Sequence, residues 1–255
     1  MQFEWFSVDH ADAYVLMVHG LNLRPAKMRS FAKLLQNENM SVLNVFLSGH
    51  GNLNTKARLQ AFTQVNYVLW LEEMREAYSI IVQQAQGKPI YLMGYSLGAL
   101  MGLNAMVKYP QITFNKAFFI APAIKIHTQA YIVYLMSLFP EWIIRSASPP
   151  NFRANRGTPV NAYLALYQAI ASLENPNKAL NIPVKIIMDE KDELVSLTKI
   201  KQWIIDHSLT KWSIMSVNKR LLPSHDFHHL LVGEKGAGNV WNALKNALLA
   251  HFSLP

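Results

Sequence analysis

Cysteine is absent from the 255 residues of this chain. Its absence excludes a disulfide framework, a thiolate metal site and a cysteine nucleophile. Charged residues are scarce, at 16%, where soluble domains have roughly 25%. The hydrophobic share of 51% excludes intrinsic disorder, because disordered chains lack the apolar content needed to form a core. A chain of this length can therefore form a large core without a covalent or metal cross-link.

Long hydrophobic runs are also missing. The longest apolar run lies near residues 130–139 and ends at Pro140, far short of the ~20 residues that a membrane span requires. The first residues include Glu4, Asp9 and Asp12, where a signal peptide would have a basic head and an apolar stretch. We therefore predict no membrane span and a cytoplasmic location.

Acidic residues are fewer than basic ones, 16 against 24, which leaves a net charge of +8. Such a balance favours anionic surfaces or substrates. Proteins that bind nucleic acids usually cluster their basic residues, and the densest groups here are only Arg153 with Arg156 and Lys219 with Arg220. The sequence predicts no nucleic-acid partner and leaves open a weak peripheral association with a membrane.

Apolar, β-rich runs alternate with helix-patterned stretches along most of the chain. This alternation is typical of an α/β fold with a mostly parallel sheet and helices on both faces. The predicted strands are 2–7, 14–18, 41–47, 89–93, 114–121, 183–188 and 211–217. The predicted helices are 25–36, 67–86, 97–108, 197–206 and 239–252.

One stretch, residues 122–180, interrupts the alternation. It contains no convincing buried strand but several helix-like pieces, and it is far longer than an ordinary connection between core elements. We therefore expect an inserted helical cap at 122–180, with residues 1–121 and 181–255 forming the core.

The strongest chemical signal is the pentapeptide Gly94-Tyr95-Ser96-Leu97-Gly98. A predicted strand leads into it and a predicted helix follows it, which is the context of a nucleophile elbow. The flanking glycines allow strand and helix to approach closely while the central serine adopts a strained conformation. This pattern predicts an exposed, nucleophilic Ser96 at the carboxyl edge of the sheet.

Several elements together resemble the α/β-hydrolase superfamily, in particular capped lipases and esterases similar to monoglyceride lipase and bacterial carboxylesterases. Except for the expected cap, they span nearly the whole chain in the family's order. They are Leu16-Met17-Val18-His19-Gly20-Leu21, Leu47-Ser48-Gly49-His50-Gly51, the serine pentapeptide, residues 189–195 and His229-Leu230-Leu231.

The resemblance implies an acid after the strand 183–188. The family usually shows Gly-x-x-Asp-x-Val/Leu-Val there, which places the acid at Asp192. Asp189 occupies the position of the usual glycine and stays an alternative. Glu190 and Glu193 are expected to be solvated.

The base is expected in the loop after the last strand, where His225, His228 and His229 all lie. His229 fits the resemblance best, because an apolar pair and an acid five residues on follow it. His228 and His225 remain alternatives. The close spacing of these three histidines also suggests a metal site, but the inverted zincin pattern requires Glu where this chain has His228. No metal and no cofactor are predicted.

An oxyanion needs two backbone N–H groups. Leu97, which follows the serine, would supply one, and the resemblance implies Leu21 for the other. His19 and His50 are expected to brace their turns rather than to carry protons.

The expected cap is poor in carboxylates, and carboxylates would be needed to hold the ammonium group of a peptide. Its basic residues are Lys125, Arg145, Arg153, Arg156 and Lys178, and its acids are Glu141 and Glu174. Apolar residues at 131–136, 138, 139 and 142–144 could line an acyl pocket of medium or longer length.

The sequence thus predicts a serine hydrolase that cleaves carboxylic esters through an acyl-enzyme, like a carboxylesterase, lysophospholipase or monoacylglycerol lipase. The substrate would be a small acyl ester, and a lipid ester stays open. Two alternatives stay open: a thioesterase or acyltransferase with the same triad, and a non-catalytic ligand-binding protein of this fold.

Overall fold

A seven-stranded sheet forms the centre of the computed structural model, which describes residues 1–51, 54–146, 148–174, 178–221 and 226–253. Its strands are β1 (Gln2–Phe6), β2 (Ala13–Val18), β3 (Met40–Phe46), β4 (Ile90–Tyr95), β5 (Lys116–Ile120), β8 (Val184–Asp189) and β9 (Trp212–Val217). A separate two-stranded sheet contains β6 (Ile143–Arg145) and β7 (Gly157–Pro159).

The order of the strands is β1-β3-β2-β4-β5-β8-β9, and all neighbours are parallel except β1 and β3. Every residue of β3 and β4 is buried. Strands covered on both faces read as continuous apolar runs rather than alternating ones, which is why these central strands were predictable. The edge strands β1 and β9 are partly exposed, and they too were predicted. The predicted fold class is confirmed.

Two groups of helices pack against the sheet. The helices are α1 (Arg29–Asn37), α2 (Thr55–Thr63), α3 (Tyr67–Ala85), α4 (Leu97–Lys108), α5 (Val160–Ala171), α6 (Leu197–Asp206), α7 (Gly233–Ala237) and α8 (Trp241–Phe252). Helices α1 and α8 contact each other, as do α3, α4 and α5, and each group also contacts the sheet. In the part of the chain that the structure describes, no helix combines the length and hydrophobicity needed to cross a membrane.

Two helices of the core, α2 and α7, were not predicted. Helix α2 buries only Phe62, so its sequence lacks the spacing of apolar residues that reveals a helix. Instead, the side chain of Asn54 caps it by accepting a hydrogen bond from the Ala57 N–H at 2.9 Å. Helix α7 has five residues, which is too short for a periodic pattern.

The connection between β5 and β8 contains α5 and a 3-10 helix at Thr128–Met136. It also contains the β6–β7 pair, which the sequence analysis did not predict. Three-residue strands are too short to carry a strand-like pattern, whether mostly exposed as in β6 or buried as in β7. The division into a core and a cap at 122–180 stays a prediction.

Candidate active site

Ser96 lies between β4 and α4, at the carboxyl edge of the sheet. Its φ of 50° and ψ of −109° are unfavourable for an L-residue. The surrounding backbone holds this conformation, because the Ser96 N–H donates to the Ile120 carbonyl at 2.9 Å and the Ser96 carbonyl accepts from the Ala123 N–H at 3.2 Å. The predicted strand–turn–helix is therefore present, with a strained serine at its apex.

The glycines on either side of this turn are required by contact with backbone. A Cβ on Gly98 would overlap the carbonyl group of Val18 in β2, and a Cβ on Gly94 would overlap the backbone of Ala99 in α4. Neither clash can be relieved by rotating a side chain. The close approach of β2, β4 and α4 therefore depends on these two glycines.

Gly98→Ala is expected to lower the free energy of unfolding by about 3 kcal/mol or to prevent folding, since overpacking commonly costs roughly 1–3 kcal/mol and the atoms displaced here are backbone. Urea denaturation followed by circular dichroism measures it. Gly102→Ala, in the same helix, is the matched control, because its Cβ would meet only the movable side chain of Leu92. Equal stability of the two variants would contradict this account.

The structure brings Ser96, His229 and Asp192 into one hydrogen-bonded chain. His229 Nδ1 lies 2.8 Å from Asp192 Oδ2, and His229 Nε2 lies 3.1 Å from Ser96 Oγ. Because an ionised carboxylate only accepts hydrogen bonds, Nδ1 carries the proton and Nε2 is free to accept from the serine hydroxyl. All three residues are buried, with exposures of 5–8%.

The charged form of Asp192 is stabilised where it lies. Burial tends to raise the pKa of this carboxyl, but His229 and the backbone amides of Val195 and Leu194 outweigh burial and hold the pKa below its ordinary value. Those amides donate to Oδ1 at 2.8 and 2.9 Å, which leaves Oδ2 for the imidazole. Asp192 can therefore orient His229 and stabilise it when it is protonated.

The alternative residues lie beside this chain rather than in it. Asp189 is fully buried, and its oxygens accept from the Lys191 N–H at 2.8 Å and the Lys219 N–H at 2.5 Å. The ring of His228 lies near it, with Nδ1 3.0 Å from Asp189 Oδ1, but the orientation is not that of a hydrogen bond. His225 lies outside the described residues.

The amides of Leu21 and Leu97 flank the serine. Leu97 begins α4, so its N–H has no partner within the helix. Within the described ranges, no protein group accepts a hydrogen bond from either amide. Both are thus available to an oxyanion, and the amino-terminal end of α4 adds a favourable dipole.

His19 and His50 brace the turn that carries Leu21. The Nε2 atom of His19 accepts from the Leu47 N–H at 3.1 Å, and its Nδ1 lies 2.9 Å from the Gly20 carbonyl. His50 Nε2 accepts from the Asn22 N–H at 2.8 Å. Burial lowers the pKa of His19 to about 4 and also lowers that of His50 well below the ordinary value. Both rings are therefore neutral at pH 7.

This burial predicts acid sensitivity. His19 binds a proton near pH 6.5 when unfolded but only near pH 4 when folded, so the stability present above pH 6.5 is lost as the pH falls through this window. The loss should be about 3 kcal/mol. Thermal denaturation between pH 7 and 4.5 measures it. His19→Gln should show a shallower fall, with a remaining slope from His50, whereas an unchanged slope would refute the assignment.

Two residues that sequence reasoning missed hold the backbone of His229. The Tyr95 hydroxyl donates to the His229 carbonyl at 3.1 Å, and the Glu193 carboxylate accepts from the N–H groups of His228 and His229 at 3.0 and 3.1 Å. Glu193 is exposed, as expected for a solvated residue, but its carboxylate also holds the backbone of this loop. Tyr95 lies inside the serine pentapeptide, but nothing in the sequence pairs either residue with the histidine loop.

A cavity of about 220 Å³ opens onto the site. Its described walls include Leu21, Ser96 and His229, together with residues from α5 and the connection before it. They are Asn22, Tyr95, Ala123, Ile126, Ser146, Ser148, Thr158, Tyr163, Leu166, Tyr167, Leu194, Val195, Phe227 and Leu230.

The described part of the apolar run expected to line this cavity, residues 133–144, lies elsewhere. The side chains of Tyr131 and Ile132 lie outside the described ones. None of the described side chains between Val133 and Ile144 contributes to the wall. Several point outward instead, with Leu135 81% and Leu138 83% exposed. Apolar content alone does not show which side of a short irregular segment faces the protein. Helix α5 supplies the wall in its place.

No metal site accompanies this arrangement in the described ranges, where no three His, Asp or Glu side chains are grouped to hold an ion. The chemistry available at the site is that of the serine hydroxyl, the imidazole and the carboxylate. It suits transfer of an acyl group to Ser96.

Comparison with solved structures finds several lipases and esterases that share this fold. A structure reported for the metagenome-derived lipolytic enzymes LipS and LipT is 17% identical, with a TM-score of 0.77 and coverage of 97% of this chain and 96% of that one. A monoglyceride lipase variant from Saccharomyces cerevisiae is 14% identical, with a TM-score of 0.78 and coverage of 99% and 92%. Est1E from Butyrivibrio proteoclasticus, with ferulic acid bound, is 17% identical, with a TM-score of 0.66 and coverage of 98% and 94%.

The fold class is thus that of an α/β hydrolase. Residues 9–155 match the Hydrolase_4 family, described as serine aminopeptidase, S33. Because the match covers more than half of the chain, the protein belongs to this family of hydrolases. The matched range includes Ser96 but ends before Asp192 and His229. A search of curated proteins finds no match.

Proposed function

We propose that this protein is a serine hydrolase that cleaves carboxylic esters through an acyl-enzyme. The observation that supports it most directly is the hydrogen-bonded chain from Ser96 Oγ through the ring of His229 to Asp192, with distances of 3.1 and 2.8 Å. A serine hydroxyl is a weak nucleophile that requires a base, and the base requires a third group to orient it. The hydrogen-bonded chain offers a candidate for each of these three groups at one edge of the sheet.

In this mechanism His229 Nε2 takes the proton of Ser96 as Oγ attacks the ester carbonyl. Asp192 keeps the proton of the imidazole on Nδ1 and stabilises the imidazolium. His229 then protonates the departing alkoxide, which leaves the acyl group on Ser96. Water, activated by the same imidazole, attacks the acyl-enzyme and releases the acid.

The negative charge that forms on the carbonyl oxygen is assigned to the amides of Leu21 and Leu97. Both amides flank Ser96 and have no acceptor among the described residues. Such donors act most strongly when they are already oriented, since they then need no rearrangement as charge develops. Asn22, the residue after Leu21, donates a hydrogen bond from its N–H to His50 Nε2, and this bond supports the orientation of the Leu21 turn.

The family description names an aminopeptidase, but the cavity favours an ester. No Asp or Glu is present among the described residues of its wall. The free ammonium group of a peptide would therefore enter a buried site without a counter-charge, which is costly. Hydroxyl groups from Ser146, Ser148 and Thr158 offer neutral hydrogen bonds to an ester instead.

The size of the cavity suggests the size of the acyl group. Its volume of about 220 Å³ is below the roughly 300–1,000 Å³ of pockets for drug-sized ligands. We therefore favour a short or medium acyl chain over a longer one. A longer chain would have to extend past the described walls.

We further propose that residues 122–180 form a cap that meets lipid-like substrates. Side chains such as Leu135, Leu138 and Trp142 are exposed, and a contiguous apolar surface is typical of interaction sites. This surface, rather than the cavity, is the feature that favours a lipidic ester and a weak association with membranes.

The experiment compares hydrolysis of p-nitrophenyl esters from C2 to C16 by the wild type and Ser96→Ala, alongside labelling with a fluorophosphonate. We expect turnover and labelling of the wild type only, with the optimum at short or medium chains. Thioester substrates and alcohol acceptors in the same assay separate the thioesterase and acyltransferase alternatives. Absence of both turnover and labelling would favour the non-catalytic alternative.

A further inference from the structure

Lys219 is a buried cation that the mechanism does not use. It lies two residues after β9, and only 2% of it is exposed. Lysine is almost never fully buried unless it is paired. The sequence groups it with Arg220 as a basic run, but Arg220 is exposed and Lys219 is not. Its ammonium group therefore has a role inside the protein.

All three donors of this ammonium group point to the loop that carries His229. Nζ lies 2.5 Å from Asp226 Oδ1, 2.6 Å from the Phe227 carbonyl and 3.0 Å from the Leu230 carbonyl. A lysine has three N–H donors and no acceptor, so its hydrogen-bonding capacity is fully used. The partners lie on both sides of His229 in the chain.

The lysine is itself fixed to the sheet. Its backbone N–H donates to Asp189 Oδ2 at 2.5 Å, and Asp189 is the last residue of β8. Asp189 replaces the glycine that the family resemblance implies at this position. The ammonium group thus connects the rigid end of the sheet to a loop without regular secondary structure.

From these contacts we infer that Lys219 is a positioning residue for His229, holding the loop so that the imidazole lies between Asp192 and Ser96. This inference rests on the proposed function. Without the ammonium group, two buried carbonyls and one carboxylate would lose their donor, and the loop would move to find others. A displacement of 1 Å can lower the rate about 100-fold.

The test begins with Lys219→Met, which keeps most of the length of the side chain but removes the charge. We expect kcat for p-nitrophenyl esters to fall about 100-fold, with a smaller change in KM. The control is Lys88→Met. Lys88 donates to a single carbonyl, that of Ala11, at 2.6 Å. It precedes β4 and so lies at the amino-terminal edge of the sheet, opposite the edge that carries Ser96. Its loss should leave kcat unchanged.

A second variant separates positioning from stability. Lys219→Met removes the ion pair between Lys219 and Asp226, so the Tm should fall. Lys219→Met/Asp226→Asn removes both charges, and we expect its Tm to recover while kcat stays low, because the two carbonyls still lack a donor. If kcat recovers together with Tm, Lys219 contributes only to stability and the inference is wrong.

The pH profile gives a readout that a purely structural role would not move. The acid limb of kcat/KM reports the essential base of the free enzyme. Weaker pairing with Asp192 should shift this limb to lower pH in Lys219→Met/Asp226→Asn, because the imidazolium loses its counter-charge. This double variant removes one positive and one negative charge, so the net charge near His229 stays the same. The other groups facing His229 are unchanged: Glu193, the Tyr95 hydroxyl, Ser96 and the nearby pair of His228 and Asp189.

A proton NMR spectrum makes the test independent of turnover. The Nδ1 proton of His229, hydrogen-bonded to Asp192, should give a downfield resonance in the wild type that is shifted or lost in the double variant. An unchanged resonance would overturn the inference even if the wild type hydrolyses esters. If the wild type neither hydrolyses esters nor is labelled, the proposed function fails, and the resonance still tests the position of the imidazole.

Discussion

Ser96→Ala is expected to reduce kcat for ester hydrolysis by about 10⁶-fold, the scale of loss when a triad nucleophile is removed. The physical reason is that Ser96 Oγ is the proposed nucleophile, held 3.1 Å from His229 Nε2, and alanine has no oxygen to replace it. Steady-state assays with a p-nitrophenyl ester measure the loss, and denaturation checks that the fold is intact.

His229→Ala provides the control for this prediction. It should cost nearly as much as Ser96→Ala, and the double variant should lose little more than either single variant, because the two groups act as a unit. A loss below tenfold in Ser96→Ala would contradict the nucleophilic role. Additive losses would instead show that the two residues act in separate steps.

Asp192→Asn is expected to lower kcat by about 10⁴-fold. An amide at this position no longer provides the charge that stabilises the imidazolium, and its N–H₂ group can favour the wrong tautomer of His229. Two backbone amides donate to Asp192 Oδ1, and an asparagine oxygen can still accept from them, so the loop should keep its shape. Steady-state kinetics measure the loss of activity, and thermal denaturation of the same variant measures any loss of stability.

Asp189→Asn is the matched control, since Asp189, the last residue of β8, is a second buried carboxyl close to Asp192 in the chain. The carboxylate of Asp189 accepts backbone hydrogen bonds and lies beside His228 rather than His229. We expect it to lower stability but to reduce kcat less than tenfold. A larger kinetic loss in Asp189→Asn than in Asp192→Asn would make Asp189 the acid.

The central strands of the sheet could be predicted from the sequence because they are buried on both faces. In Met40–Phe46 every residue is buried, and Ser41 and Asn44 are the only polar residues of an otherwise apolar run. The edge strands β1 and β9 are partly exposed and were predicted from their β-rich composition. Hydrophobic patterning carries little information about α2, which buries only Phe62, or about β6 and β7, which have three residues each.

The connection between β5 and β8 shows where patterning misleads. Its most apolar segment suggested a pocket wall, yet Leu135 and Leu138 are exposed. The wall is formed instead by residues of α5 such as Tyr163 and Leu166, and by small polar residues such as Ser146. The hydrophobicity of a segment does not show which of its side chains the fold buries.

By itself the sequence determined the local features of this protein: the seven strands of the central sheet, the helices with a clear apolar pattern, the turn around Ser96 and the candidates for an acid and a base. Each is indicated by residues that are neighbours in the chain, such as the strand, the glycines and the helix around Ser96. Only the tertiary structure decided which histidine lies 3.1 Å from the serine and that Lys219 is buried beneath that histidine's loop. Those facts depend on contacts between residues more than a hundred positions apart, or across loops without a repeating pattern, and no local spacing records them.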